Sequence, residues 1–359
     1  MSKLKIEIKE LNSKNLKQPP QVGEKLDFGK NFTNRMFKMK WTPSAGWHAA
    51  EICAYGNFSL SPAALVLHYG QEIFEGVKAY RWADDSIVLF RPQDNIARMN
   101  VSAKRMCLPQ LPEEDVLSAL IELIKLEKDW IPKSEGAALY IRPTMIGIDP
   151  YIGLKSAEEV LFYIILTPVE AYYTKPIAIM VEDKYVRAVR GGTGMAKTGG
   201  NYAASIYPIT LAKEKGYDDI LWLDGVEQKY VEEVGSMNIF FVYKDKLVTS
   251  ILNNSILPGI TRDSVLKLAR YWGLETVEKK LDIHQIVEDL KAGQITEIFG
   301  SGTAVIISPV GLLATTEEEF VIGEGKDKIG ALTQKFYNNL TGIQYGKTKD
   351  AFGWIVKAI

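Results

Sequence analysis

Residues 167–176 read TPVEAYYTKP, a cluster of prolines and tyrosines that interrupts an otherwise regular succession of strand-like and helix-like runs. Before it, ICAYGNFSLSP, ALVLHYG and SIVLFRP read as strands. NIARMNVSAKRMC and VLSALIELIKLEKDW then carry apolar residues at helical spacing, and ALYIRPTMIG and VLFYIILTPV return to strand character. After it, IAIMV, ILWLDG and MNIFFVYKDKLVTS read as strands, the last as a hairpin around Lys244–Lys246. NYAASIYPITLAKEKG reads as a helix ended at Gly216 with Pro208 inside it, and TRDSVLKLARYWG as a helix with Thr261 as N-cap and Gly273 as its stop. The pattern predicts a mixed α/β chain in two parts. A smaller N-terminal domain spans 1–172, with 1–30 partly irregular; a linker spans 173–178 and a larger C-terminal domain 179–359.

The 359 residues suffice for two separate cores, and a composition 47% hydrophobic and 24% charged is that of a folded globular chain. A formal net charge of -1 supplies no basic field for nucleic acid and no attraction to a membrane surface. No apolar run approaches the ~20 residues needed to span a bilayer, and the first residues lack an apolar signal core, which predicts a cytoplasmic protein. Cys53 and Cys107 fit no metal spacing and are expected to be reduced, buried thiols. Three histidines leave little room for a zinc site, and no metal is expected.

The segment carrying chemistry is GGTGMAKTGG at 191–200, which comes close to the phosphate-cradling P-loop G-x-x-x-x-G-K-[ST]. It fails by one residue. With Gly191 first, the glycine required before the lysine falls on Ala196, and the preceding VEDKYVRAVR is too charged for the buried strand that feeds such a loop. A lysine amine among glycines can instead condense with an aldehyde, since the glycines let the backbone approach a planar ring without Cβ clashes. A degenerate nucleotide loop stays open as the alternative.

Extended to RAVRGGTGMAKTGGNYA, the segment resembles the Schiff-base lysine region of the branched-chain aminotransferases, pyridoxal-phosphate enzymes of fold type IV. The resemblance runs from about residue 30 to the C-terminal IQYGKTKDAFGW. It implies two α/β domains with pyridoxal 5'-phosphate between them, and a homodimer whose partner loop helps cover the pocket. Lys197 becomes the cofactor-linked lysine that carries a proton between Cα of the substrate and C4′ of the cofactor, and Tyr202 bonds the ring hydroxyl. EVGSMNIF supplies Glu233 as partner of the pyridine nitrogen, whose protonation makes the ring an electron sink. LPGITRDSV and FGSGTAV are two turns expected to hold the phosphate, through Ile260, Thr261 and Thr303, with Arg98 completing the anion site and Arg187 near the cofactor.

For the substrate, LHYGQEIFEGVKAYR and ALYIRPTMIG match further segments of these enzymes. Through them Tyr69 reaches the α-carboxylate, Phe74 and Tyr140 wall an apolar pocket, and Arg142 meets the distal carboxylate of glutamate or 2-oxoglutarate. Phe32 and Tyr172 close the rim, while Ser236 and the N–H of Ala304 share the α-carboxylate. The C-x-x-C pair of some animal members is replaced by Val305 and Ser308, so no thiol switch is expected there. The implied reaction is ping-pong transamination of Leu, Ile or Val with 2-oxoglutarate. A D-amino acid aminotransferase and an aminodeoxychorismate lyase of the same fold are the rival readings.

Overall fold

The structure, a computed structural model, describes residues 4–12, 14, 16–170 and 175–359. The chain divides into two compact units. The first comprises Met1–Tyr172, Ala196–Gly199 and Gly342–Ile359; the second comprises Tyr173–Met195 and Gly200–Thr341. The lysine tetrapeptide and the C-terminal segment thus fold with the N-terminal half of the chain. The expected linker over 173–178 begins on residues outside those described.

The first unit holds one sheet. Its strands are β1 (Glu7–Ile8), β2 (Arg35–Thr42), β3 (Gly46–Ala54), β4 (Glu72–Phe74), β5 (Val77–Arg81), β6 (Ile87–Phe90), β7 (Ala138–Gly147), β8 (Val160–Val169) and, from the far end of the chain, β19 (Ile355–Lys357). The spatial order is β1-β3-β2-β8-β7-β5-β6-β19, with β4 also paired to β7. Helices α1 (Leu65–Tyr69), α2 (Pro92–Arg105) and α3 (Glu113–Leu126) belong to the same unit. Alternation along β7 decides what each face does. Leu139, Ile141 and Met145 are buried in one core with Ile96 and Met99 of α2 and Val116, Leu120 and Leu123 of α3. Tyr140, Arg142 and Thr144 must therefore point to the opposite face.

The second unit holds β9 (Ile177–Glu182), β10 (Asp219–Leu223), β11 (Tyr230–Val234), β12 (Met237–Tyr243), β13 (Lys246–Ser250), β14 (Glu275–Lys279), β15 (Leu281–Asp282), β16 (Ile295–Gly302), β17 (Ile306–Ala314) and β18 (Glu319–Val321). These form one sheet in the order β14-β13-β12-β16-β17-β9-β10-β11-β15, with β18 on β17 and β11 also paired to β12. Helices α4 (Gly199–Glu214), α5 (Ile260–Tyr271), α6 (Ile283–Lys291) and α7 (Ala331–Gln344) follow in chain order. One face buries Ile239 and Phe241 with Ile283 and Ile286 of α6. On the other, Phe240 stacks on Phe299 at 5.0 Å, Phe299 meets Phe336 at 5.6 Å, and Phe336 meets Trp272 at 4.9 Å.

Several local expectations change. ALVLHYG is the short helix α1, ended by Gly70 in the left-handed region at φ 57°, because a five-residue apolar run fits either period and this glycine closes a helical turn. Strand β3 stops at Ala54, before the rest of ICAYGNFSLSP. The N-cap of α5 is Gly259, and Thr261 lies inside the first turn; the preceding Pro-Gly turn already sets the entry angle. In FGSGTAV the residues through Gly302 are strand, so the turn proper is Thr303–Val305. Cys107 is exposed, since it follows the end of α2 in a left-handed conformation, φ 53°, while Cys53 is part-buried; both are free. Helix α4 tolerates Pro208, and the Lys244–Lys246 hairpin and the Gly273 stop are present, the last at φ 74°.

Phe299→Ala removes the ring at the centre of the aromatic stack on the second sheet. The expected loss is about 3–5 kcal/mol of unfolding free energy, read from urea denaturation.

Candidate active site

In the first unit the lysine is positioned by its backbone. The Lys197 N–H donates to Ser102 Oγ of α2 at 2.9 Å, and its carbonyl accepts from the Phe74 N–H of β4 at 2.9 Å. The neighbouring Thr198 hydroxyl donates to the Glu72 carbonyl at 2.7 Å, and the Gly199 N–H to Glu72 Oε2 at 2.7 Å. Four bonds, three from the backbone and one from the Thr198 hydroxyl, thus fix the tetrapeptide. Lys197 Nζ lies 4.8 Å from the centroid of the Phe74 ring, and the Arg142 guanidinium carbon lies 4.7 Å from the same ring.

Arg142 is half-buried on β7. Its Nη2 reaches the Tyr140 hydroxyl at 3.4 Å, its guanidinium lies 5.4 Å from the Tyr140 ring, and its Nε is buried without a hydrogen-bond partner. Among the described residues no carboxylate pairs with it. Tyr140 is itself packed edge-on against Phe28 at 4.9 Å. Arginine, tyrosine and phenylalanine therefore make one surface that is apolar over most of its area and carries one cation with an unfilled donor.

Arg98 is placed differently from a lone anion ligand. Its Nε and Nη2 meet Glu75 Oε1 and Oε2 at 2.7 and 2.9 Å, and Glu75 also accepts from Asn95 Nδ2 and the Gly76 N–H. Burial pushes the Glu75 carboxyl up, but Arg98, then Lys197 and Asn95, outweigh it, so its pKa falls below the usual value. Sequence reasoning does not single out Glu75 or Ser102. The only signal is their polarity inside segments otherwise read as strand and helix.

In the second unit Glu233 is the organising group. It stands opposite Asn238 across the β11–β12 hairpin, and Asn238 stands opposite Ser301 of β16, so the three share one row of the sheet. Glu233 Oε1 accepts from the Leu257 N–H at 2.9 Å and from Asn238 Nδ2 at 3.2 Å, while Oε2 lies 2.9 Å from Arg187 Nε. Two N–H donors and a guanidinium stabilise the charged carboxylate in a position only 3% exposed. Arg187 is held in turn by the carbonyls of Gly194 and Ser255. The hairpin turn between Val234 and Met237 needs Gly235: its φ is 53°, and a Cβ there would run into the Asp219 carboxylate.

Ile260 and Thr261 lie buried in the first turn of α5, whose first helical bond is Asp263 N–H to the Gly259 carbonyl and whose start has no side-chain cap. A helix start of this kind presents N–H donors and positive potential. Thr303 and Ala304 are half-buried in the β16–β17 loop, and Ser236 is exposed in the β11–β12 turn. Tyr202 is half-buried in the first turn of α4, where Asn201 bonds Thr193 twice, at 2.7 and 2.9 Å. Phe32 stacks on Tyr55 at 4.9 Å. Tyr69 is 40% exposed, with its hydroxyl on the Ile152 carbonyl. Tyr172 lies outside the described residues.

A planar cofactor with a ring nitrogen and a phosphate is compatible with this donor set. The Glu233 carboxylate is preorganised, Ser301 Oγ in its row is buried with no hydrogen-bond partner among the described residues, and the α5 start lies beside it, since a Cβ on Gly259 would collide with Asn238 Oδ1. The chain matches the family described as amino-transferase class IV over residues 72–313, more than half its length, and belongs to that family. Branched-chain-amino-acid aminotransferase 2 of Bacillus subtilis (strain 168) is 48% identical to it over 341 residues, covering 94% of this chain and 93% of that one. Within class IV the chain therefore falls among the branched-chain-amino-acid aminotransferases. The crystal structure of the Escherichia coli branched-chain amino acid aminotransferase superposes with a TM-score of 0.72 at 27% identity, covering 86% of this chain and 97% of that one. The branched-chain aminotransferase from the thermophilic archaeon Thermoproteus uzoniensis, solved with norvaline, shares the fold with a TM-score of 0.73 at 26% identity and coverage of 90% and 100%.

Arg187→Ala leaves Glu233 buried beside no guanidinium, and should lower stability by about 3–5 kcal/mol in thermal or urea unfolding. Burial raises the Asp219 pKa to about 6, against the opposing pull of the Ile220 N–H and Lys213. Its folded-state pKa lies above the unfolded value, so ionisation costs stability as pH rises from about 4 to 6. Asp219→Asn should accordingly be more stable than the parent by about 3 kcal/mol at pH 7, with the gain shrinking toward pH 4, as measured by unfolding across pH.

Proposed function

We propose that the chain is a branched-chain L-amino acid:2-oxoglutarate aminotransferase that works with pyridoxal 5'-phosphate in two half-reactions. The observation that carries this reading is Arg142, a half-buried cation with an orphaned Nε and no ion pair among the described residues, set between the Phe74 and Tyr140 rings. An apolar wall suits Leu, Ile or Val. The guanidinium suits the distal carboxylate of glutamate or 2-oxoglutarate, for which its fork geometry is matched. Phe74 links this surface to the reacting amine, since Arg142 and Lys197 contact the same ring.

Pyridoxal phosphate, when bound, supplies the electron sink that makes the substrate Cα–H acidic. The residues of this chain do the rest. Lys197 anchors the cofactor and moves the proton at Cα, and Glu233 holds the proton on the pyridine nitrogen. Tyr202 bonds the ring hydroxyl, and Arg187 pairs with the Glu233 carboxylate. Ile260, Thr261 and Thr303 hold the phosphate, with Arg98 assisting. Tyr69, Ser236 and the Ala304 N–H receive the α-carboxylate, while Phe32 and Tyr172 close the rim. The protein works as a cytoplasmic homodimer. Among the described residues no helix is long and apolar enough to cross a membrane.

Purified protein should absorb in the visible, lose that band on borohydride treatment, and yield a pyridoxyl peptide containing Lys197. It should transaminate L-leucine with 2-oxoglutarate, and Lys197→Ala should lower the turnover by at least about 10³-fold. A response to D-alanine and none to L-leucine would instead select a D-amino acid aminotransferase.

A further inference from the structure

The pocket face of the first sheet carries a second carboxylate, and its environment differs from that of Glu75. Glu75 is fully engaged by Arg98, Asn95 and the Gly76 N–H. Glu72 is two residues from Phe74 on β4, so both side chains stand on the face shared with Tyr140, Arg142 and Thr144 of β7. Only its Oε2 has a protein partner, the Gly199 N–H at 2.7 Å; Oε1 accepts nothing from the described residues. Burial raises the Glu72 pKa, and after the Gly199 N–H the groups that oppose this are Arg142 and Lys197. Glu72 therefore lies within the field of Arg142 without forming an ion pair with it.

We propose that Glu72 is a specificity-determining residue: its carboxylate offsets the charge of Arg142 when an apolar side chain fills the pocket, and repels the distal carboxylate when a dicarboxylate does. This rests on the proposed transamination of both substrate classes in one pocket. A bare guanidinium facing leucine would be an unpaired, desolvated cation, and one facing 2-oxoglutarate with no opposing charge would bind it too tightly to alternate. A carboxylate held beyond pairing distance moderates both extremes.

The test is Glu72→Gln, which keeps an acceptor for the Gly199 N–H and removes the charge. The holoenzyme is titrated calorimetrically with glutarate and with 4-methylpentanoate, unreactive analogues of the two substrate classes. The ratio of the 4-methylpentanoate Kd to the glutarate Kd should rise about tenfold in the variant, with KM for 2-oxoglutarate falling relative to KM for leucine. A ratio that changes less than threefold, or in the opposite sense, overturns the proposal. Glu72→Leu, which loses the acceptor as well, separates a structural role: it should shift the same ratio, whereas Glu72→Gln alone should preserve the melting temperature. A parent enzyme that fails to transaminate leucine with 2-oxoglutarate would remove the functional reading itself. A parent that does so, with an unchanged ratio in both variants, would remove only the role of Glu72.

Discussion

A buried carboxylate that needs partners for both of its oxygens is the constraint around which the second unit is arranged. Glu233 has about the exposure of a core leucine, and an isolated ion there would neutralise or destabilise the fold. The chain prevents this with two N–H donors on one oxygen and the Arg187 guanidinium on the other. Each donor has its own support. Leu257 lies at the entrance to α5, Asn238 is fixed as the cross-strand neighbour, and Arg187 is pinned by the Gly194 and Ser255 carbonyls. The glycine-rich loop, the β11–β12 hairpin and the α5 entrance therefore all lead to one pair of carboxylate oxygens.

The first unit solves a different problem, which is to hold a flexible lysine and present a pocket of mixed polarity. Sheet alternation does most of this. The residues of β7 that face α2 and α3 are apolar and the alternate ones are Tyr140, Arg142 and Thr144, so one strand makes both a core face and a face of mixed polarity. Lys197 is then tied to β4 and α2 through main-chain bonds, with its Nζ 4.8 Å from the centroid of the Phe74 ring. The Glu75–Arg98 pair sits beneath it as a compensated charge in the interior.

Much of this was legible in the sequence. The long periodic segments α2, α3, β7 and β8 announced themselves because their apolar spacing admits one reading. Lys197, Glu233 and Arg142 were marked by the words around them. What misled was short or composite. ALVLHYG was too brief for its period to decide between strand and helix, and Gly70 settled it. Thr261 resembled a cap, but the Pro-Gly turn had already supplied one. Ser102 and Glu75 carried no signal beyond being polar where apolar residues were expected.

The sequence alone determined that the chain is mixed α/β, that ALYIRPTMIG is a strand, and that one lysine stands among glycines where an amine could condense with an aldehyde. These are local properties, set by side-chain type and period. Tertiary structure alone decided that 196–199 folds with the N-terminal half and that Arg98 is forked onto Glu75. It alone decided that Glu72 stands on the pocket face with one oxygen unengaged. Such facts depend on which segments, far apart in the chain, come within hydrogen-bond distance, and no periodicity encodes that. It is set when buried polar groups must find partners, and the partners available are those that the packed sheets bring near.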